Sequence, residues 1–353
     1  MTSPHPGRGA VSNPAHRFES WSRNAEDDGW YREDEETAAP ATLVIGQPAK
    51  TALTRNDSPD IPFDRSVNPY QGCEHGCVYC YARPSHAYHG LSPGLDFETK
   101  IIARPNIAER LREELAKPGY RPAPVALGAN TDPWQPVERK LRITRRVLEV
   151  LAETRHPLTL VTKSSLVERD LDLLADMARD NLVHAAVSVC TLDADLARRL
   201  EPRAAAPARR LETLARLAEA GIPCAVLAAP MIPMLTDPDL ERVLEAARRA
   251  GARAAGYVLL RLPHELKTVF RDWLRAHHPL RAEHIMSLVR QMRGGRENDA
   301  AFGTRQRGTG VFAQLLDRRF AAASRRHGLR GGLSDLDGGR FRPPAAVGQL
   351  PLF

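Results

Sequence analysis

The sequence predicts an α/β protein in which helices cover a parallel sheet. Apolar segments alternate with amphipathic helical segments about six times, at intervals of roughly 30 residues, and such alternation specifies a parallel sheet. The strand segments are apolar throughout, as expected when both faces of a sheet are buried. Six units are few for a complete eight-fold barrel. A partial, open barrel and a doubly wound sheet are therefore the two possible architectures.

The elements follow in order from an extended segment at 62–70, which leads into a cysteine-rich loop. Gly221 and Gly251 end two of the later helices. The apolar spacing predicts helices at 107–117, 143–154, 170–178, 207–220 and 237–250, alternating with strands at 125–128, 158–162, 183–190, 222–231 and 255–262.

Composition divides the chain into four parts. Residues 1–60 have low hydrophobicity and dense charge, which predicts a flexible arm with one short strand at 43–45. Residues 61–265 form the alternating core. Residues 266–330 are mainly helical, and residues 331–353 form a glycine-rich, loose tail.

The 353 residues carry a net charge of +7, which suits an anionic partner such as DNA or RNA. Because only six of the 50 basic residues are lysines, compositional bias is the stronger explanation. No apolar run approaches the roughly 18 residues of a membrane span, and the first ten residues lack a signal sequence. With clustered thiols, these features predict a cytoplasmic protein without membrane contact.

Three of the five cysteines, Cys73, Cys77 and Cys80, are spaced C-x₃-C-x₂-C. Their odd number and tight spacing exclude a disulfide framework. Grouped thiolates bind zinc or iron–sulfur clusters. Zinc needs a fourth ligand, and His75 lies inside the first spacer, which is an unusual zinc arrangement.

A ferredoxin-type site needs a fourth thiolate, but the spare Cys190 and Cys224 lack ferredoxin-like neighbours. A [4Fe–4S] cluster with one uncoordinated iron therefore fits best. Tyr79 and Tyr81 offer aromatic surface beside it for a planar group such as adenine.

The stretch from Ser66 to Arg83 reads S-x-N-P-Y-x-G-C-x-H-G-C-x-Y-C-Y-A-R. It resembles the radical S-adenosylmethionine (SAM) superfamily, in the branch related to spore photoproduct lyase. The resemblance covers about 61–265 and implies a partial (β/α)₆ barrel.

The resemblance implies that Cys73, Cys77 and Cys80 hold three irons, while the fourth iron binds the amino and carboxylate groups of SAM. One electron, from a donor such as flavodoxin or ferredoxin, then cleaves SAM to methionine and a 5′-deoxyadenosyl radical. This radical abstracts a hydrogen atom from the substrate.

Polar residues at the strand ends are the expected SAM contacts. The second strand is followed by Asn130, Thr131 and Asp132, at the position where members of the family bind the SAM amino group. The Gly-Gly-Glu sequence that is usual in the family is absent here. A turn that caps the next helix is the alternative for Asp132. Lys163 ends the third strand and is expected to pair with the SAM carboxylate; a solvated loop lysine is the alternative.

The fourth strand places Ser188 and Cys190 on one face. Ser188 resembles the family's ribose contact. Arg203 is a second candidate for binding the SAM carboxylate, and a surface salt bridge is the alternative for it. Cys190 is a candidate hydrogen-atom donor, and an inert buried thiol is the alternative. Cys224 begins its strand and is expected in the core.

These features predict a radical SAM enzyme, with a lyase-like reaction on a nucleic-acid base as the expected activity. The second strand lacks the cysteine with which spore photoproduct lyase returns a hydrogen atom, so the reaction stays open. The alternatives are a non-catalytic zinc or iron–sulfur protein that binds nucleic acid, and a SAM-binding relative without catalysis. The basic segment 303–310 is interpreted either as a phosphate-binding loop or as a plain connection.

Overall fold

The computed structural model describes residues 5–19 and 41–344. Its main sheet has the strand order β10-β9-β8-β7-β6-β3-β2, parallel throughout except that β2 runs antiparallel to β3. A smaller sheet has the order β1-β5-β4. The strands are β1 Leu43–Gly46, β2 Leu53–Arg55, β3 Arg65–Val67, β4 Tyr70–Gln71, β5 Lys100–Ala103, β6 Val125–Leu127, β7 Leu158–Thr162, β8 Val183–Ser188, β9 Cys224–Met231 and β10 Ala254–Leu259.

Amphipathic helices connect the parallel strands and cover the outside of the sheet, as the apolar spacing predicts. The α-helices are α1 Asp96–Thr99, α2 Ile107–Leu115, α3 Glu138–Leu141, α4 Ile143–Glu153, α5 Leu171–Arg179, α6 Ala194–Leu200, α7 Pro207–Glu219, α8 Leu240–Arg249, α9 Leu266–His277, α10 Ala282–Gln291 and α11 Gly310–Arg326. Short 3₁₀ helices lie at Arg83–His89, Ser165–Asp170, Asp237–Asp239 and Gly338–Arg340.

The two faces of the parallel strands differ in burial. On β8, Ala185 and Val187 pack in the apolar core beneath the helices, whereas Ala186 between them is only partly buried. On β10, Tyr257 packs in the same core, and its neighbour Val258 is partly exposed on the inner face. The inner face of these strands is thus less completely buried than the face beneath the helices. The six parallel strands therefore form a partial barrel, which confirms the predicted fold class.

The segment 303–308 connects the two edges of the main sheet. The amide of Gly303 donates to Asp60 in the turn after β2 (2.7 Å), and the amide of Leu259 in β10 donates to the carbonyl of Gln306 (2.9 Å). Arg305 pairs with Asp60. The structure therefore gives this basic segment a structural role in joining the sheet edges, which favours the alternative of a plain connection.

Parts of the predicted arm and tail pack against the core. Ala10 and Val11 are buried in an apolar cluster, and the strand expected at 43–45 is present as β1. In the tail, the amide of Asp337 donates to the carbonyl of Asn181 (2.9 Å). These residues correct the expectation of a loose arm and tail, because local composition does not show such distant contacts. The rest of that expectation, at 20–40 and 345–353, lies outside the described residues, and the four-part division stays a prediction.

Within residues 5–19 and 41–344, no helix is both long enough and apolar enough to cross a membrane.

His156, which precedes β7, makes stability depend on pH. Its Nδ1 donates to the carbonyl of Pro157 (2.9 Å), and the hydroxyl of Tyr120 donates to Nε2 (2.8 Å). Burial lowers the pKa of His156 from 6.5 to about 4. Since the unfolded chain gains this proton first, stability should fall as the pH drops from 6.5 to 4, by at most about 1.4 kcal/mol per pH unit for this group.

We expect the urea midpoint of His156→Gln to fall less steeply across that pH range than the midpoint of the unaltered protein. Equal slopes in parallel urea titrations would show that His156 does not contribute.

Candidate active site

The three clustered cysteines lie on the loop after β4, at the carboxyl-terminal edge of the main sheet. Cys73 and Cys77 are buried, Cys80 is half-buried, and all three thiols are free. Gly72 starts the loop with a φ of 80°, and a Cβ there would lie 2.8 Å from the ring of His86. Glycine adopts this conformation without strain and leaves room for the ring.

A buried ion pair supports the loop from below. Arg83 donates to the carbonyls of Cys77 (2.8 Å) and Gly76 (3.1 Å) and pairs with Glu98. The side chains of Arg83 and Glu98 are both fully buried. The pair therefore satisfies loop carbonyls that water cannot reach.

The amino-terminal segment covers the same loop. The amides of Gly9 and Ala10 donate to the carboxylate of Glu98 (2.9 and 2.8 Å). A Cβ on Gly9 would lie 1.8 Å from the carbonyl oxygen of Gly76, so only glycine permits this approach. Sequence reasoning missed these contacts, since residues about 90 positions apart give no local signal.

The carboxylate of Asp132 accepts hydrogen bonds from other parts of the protein. The donors are the Thr162 hydroxyl (2.8 Å) and the amides of Lys163 (2.7 Å) and Trp134 (2.9 Å). The ring of His75 lies 3.4 Å away. Because a carboxylate offers about four acceptor positions, little capacity remains for SAM. Asp132 thus joins the ends of β6 and β7 to the cysteine loop, which favours the structural alternative, and its SAM contact stays a prediction.

The neighbouring residues differ in availability. The hydroxyl of Thr131 is buried and donates to the carbonyl of Tyr70 (2.9 Å), which leaves it less available for the predicted SAM contact. Asn130 is half-buried, and its side chain makes no hydrogen bond to any described residue. Asn130 is therefore the more available of the two for a ligand.

Lys163 stands beside the cysteine loop, with Nζ 6.0 Å from the centre of the Tyr79 ring. It is half-buried, and no described carboxylate forms an ion pair with it. Ser188 is buried at the end of β8, one strand further along the sheet. The structure thus places Lys163 and Ser188 on the cysteine side of the sheet.

Arg203 faces the cysteine loop. Its guanidinium pairs with Glu74 (3.0 Å), and its amide donates to the carbonyl of His75 (3.2 Å). Glu74 is buried and also accepts from the hydroxyl of Thr42 (2.8 Å). This pairing holds the loop in place and favours the salt-bridge alternative, while binding of the SAM carboxylate by Arg203 stays a prediction.

A second buried ion pair, between Glu201 and Arg210, connects the loop to β8. The hydroxyl of Tyr79 donates to Glu201, and Arg210 also donates to the carbonyl of Ser188 (3.0 Å). Burial raises the pKa of Glu201, while Arg210 opposes that rise. Sequence reasoning missed this pair. The signal that could have indicated it is Arg210, an arginine at a position that α7 buries.

The two remaining cysteines have different positions. Cys190 follows β8, is 1% exposed and belongs to none of the apolar clusters of the described residues. Burial raises the pKa of its thiol, while Arg210 and Lys163 oppose that rise. Cys224 begins β9 and packs in the core, as expected.

The carboxyl-terminal edge of the partial barrel thus carries three free thiols, a half-buried lysine and an available amide. Residues 67–247, about half of the chain, match the sequence profile of the radical SAM superfamily. The chain belongs to this superfamily. Its members use a [4Fe–4S] cluster and SAM, and these are the cofactors of the protein.

Relatives support this membership without naming a reaction. An uncharacterized protein of Mycobacterium tuberculosis is 37% identical over 245 residues, which cover 69% of this chain and 72% of the relative. One of Methanocaldococcus jannaschii is 25% identical over 171 residues, covering 48% and 61%. Among solved structures, a spore photoproduct lyase mutant has a TM-score of 0.60 at 15% identity over 81% of each chain. That likeness concerns the fold.

The donor set fits an iron–sulfur cluster. Burial raises the pKa values of the Cys73 and Cys77 thiols, and negative charge on Cys80 raises them further. Such thiols need positive metal charge to stay ionised. Among the described side chains, no three His, Cys, Asp or Glu converge on one metal ion. A cluster does not require that convergence, since each thiolate binds a separate iron.

Proposed function

We propose that Cys73, Cys77 and Cys80 hold the [4Fe–4S] cluster and that the protein cleaves SAM reductively to begin radical chemistry on a nucleic-acid base. One observation carries this proposal: three free thiols share one loop at the carboxyl-terminal edge of the partial barrel, in a chain of the radical SAM superfamily. When bound, the cluster and SAM supply a 5′-deoxyadenosyl radical.

Residues of this chain bind SAM and orient it beside the cluster. Lys163 lies beside the cysteine loop without a carboxylate partner, so we assign it to the SAM carboxylate. Asn130 is available for the amino group and Ser188 for the ribose. The ring of Tyr79 lines one side of the SAM site, and its hydroxyl donates a hydrogen bond to Glu201. The packed loop excludes water from these contacts.

A nucleic-acid substrate is supported by the charge of +7 and by the barrel's likeness to spore photoproduct lyase, which was solved with a dinucleoside spore photoproduct. Cleavage of SAM also needs an electron donor, for which flavodoxin or ferredoxin is the prediction. Free thiols favour the reducing cytoplasm, which stays a prediction too.

The substrate is tested by adding ultraviolet-irradiated DNA to the anaerobically reconstituted, reduced enzyme with SAM. The proposal expects repair of the irradiated bases or a faster release of 5′-deoxyadenosine, and untreated DNA is the control. If irradiated and untreated DNA both leave the rate unchanged, the lyase-like assignment is wrong.

Cys190 is our proposed hydrogen-atom donor, because the second strand ends in Gly128-Ala129-Asn130 without a cysteine. Its buried thiol would give a hydrogen atom to the substrate radical and become a thiyl radical. Cys190→Ala should keep the iron content of the unaltered protein but change the product mixture. Mass spectrometry of the products checks this, and an unchanged mixture at unchanged turnover would exclude the role.

A further inference from the structure

A second cation that forms no ion pair with a described carboxylate lies at the barrel edge beside Tyr81. Arg261 follows β10, and its guanidinium carbon is 5.6 Å from the centre of the Tyr81 ring. Its Nε is buried and has no hydrogen-bond partner in the structure. No described Asp or Glu forms an ion pair with Arg261.

The surroundings of Arg261 are positively charged. Arg293 and Arg305 act on it as neighbouring like charges. The nearby carboxylate of Asp60 already pairs with Arg305 and accepts from the amide of Gly303 (2.7 Å). A partly buried cation in such surroundings is stabilised by an anion.

Tyr81 provides an aromatic surface next to this cation. It is 47% exposed, and its hydroxyl donates to the carbonyl of Ala129 after β6, which fixes the ring. Tyr81 directly follows Cys80 in the chain. An exposed, fixed ring beside an arginine is an arrangement that binds a base and its phosphate.

Lys163 and Arg261, neither of which pairs with a described carboxylate, lie after different strands. Lys163 follows β7 beside Tyr79, and Arg261 follows β10 beside Tyr81. Strands β8 and β9 separate them in the sheet. Lys163 is assigned to the carboxylate of SAM, so Arg261 remains for the substrate.

We propose that Arg261 binds a backbone phosphate of an unpaired nucleic-acid strand, with an adjacent base against Tyr81. This inference rests on the proposed function and specifies how that site holds its substrate. The planar guanidinium can donate two parallel hydrogen bonds to phosphate oxygens.

The test measures binding of a fluorescein-labelled single-stranded oligothymidylate of about ten nucleotides to the reconstituted holoenzyme with SAM. Fluorescence anisotropy compares the unaltered protein with Arg261→Met, Arg261→Lys and the surface control Arg249→Met. We expect Arg261→Met to weaken binding about tenfold, Arg261→Lys to weaken it less, and Arg249→Met to match the unaltered protein. The slope of log K against log salt should fall by about 0.7 for the lost contact.

A probe with neutral methylphosphonate linkages tests the same contact without any mutation. The unaltered protein should bind it more weakly, and Arg261→Met should distinguish the two probes by a smaller factor than the unaltered protein does. Equal binding of both probes to the unaltered protein overturns the inference, as does no measurable binding or equal affinity of all variants. Iron content and circular dichroism establish that each variant is folded.

The unaltered enzyme's release of 5′-deoxyadenosine without DNA tests the proposed function separately. If SAM is cleaved but the oligonucleotide binds without charge dependence, only the inference about Arg261 fails. If binding depends on Arg261 but an intact cluster does not cleave SAM, only the proposed function fails.

Discussion

Replacement of Cys77 by alanine is expected to abolish the cluster and all SAM cleavage while most of the barrel stays folded. Three thiolates are the minimum set here, because the remaining spare thiols, Cys190 and Cys224, do not lie on the cysteine loop. Reconstitution should give about four irons per unaltered chain and far less in the variant. Iron analysis, the visible absorbance and chromatography of 5′-deoxyadenosine measure these outcomes.

The matched control is Cys224→Ala. Its thiol donates to the carbonyl of Ile222 (3.1 Å) at the other end of the sheet, so iron content and SAM cleavage should survive. If Cys77→Ala instead unfolds the chain and the unaltered protein holds zinc, the alternative of a metal-dependent structural module gains support. A variant that keeps its cluster would contradict the ligand assignment.

The second large effect is expected from Glu98→Gln. The change leaves the fully buried Arg83 without its counter-charge and weakens the acceptors for Gly9 and Ala10. Removing one partner of a buried ion pair costs roughly 3–5 kcal/mol of unfolding free energy. Urea unfolding under nitrogen measures the loss, and we also expect poorer cluster retention because Arg83 holds the loop carbonyls.

The control is Glu113→Gln, which removes an exposed ion pair with Arg110 and should cost less than about 1 kcal/mol. The double replacement Arg83→Met with Glu98→Leu should be less damaging than the sum of the single changes, since no buried charge is left unpaired. Equal, small losses for Glu98→Gln and Glu113→Gln would show that the buried pair does not support the loop.

The parallel strands were predictable because burial on both faces leaves a continuous apolar run. The run at 158–162 has the same bounds as β7. The helix expected from Asp170 begins one residue later, since Asp170 lies in a 3₁₀ turn and accepts from the indole of Trp134 (2.8 Å). The strand expected to Cys190 ends at Ser188. The apolar pattern predicts well whether an element is a helix or a strand. The residue at which the element ends depends on contacts with residues elsewhere in the fold.

The candidate site was predictable where local spacing carries the signal. The cysteine motif lies within eight residues, the strand end indicates where Lys163 lies, and strand alternation indicates the face of Ser188. Alternation does not reveal whether a polar side chain meets a ligand or a protein neighbour. Asp132 and Arg203 are examples: both have protein partners that only the folded chain brings close.

The most direct test of the central claim is the yield of 5′-deoxyadenosine from the reconstituted enzyme. The protein is loaded anaerobically with iron and sulfide, reduced with dithionite and mixed with SAM, with Cys77→Ala as the matched control. The account predicts 5′-deoxyadenosine and methionine from the unaltered protein and only background from the variant. An intact cluster of about four irons per chain that binds SAM without releasing 5′-deoxyadenosine would contradict it.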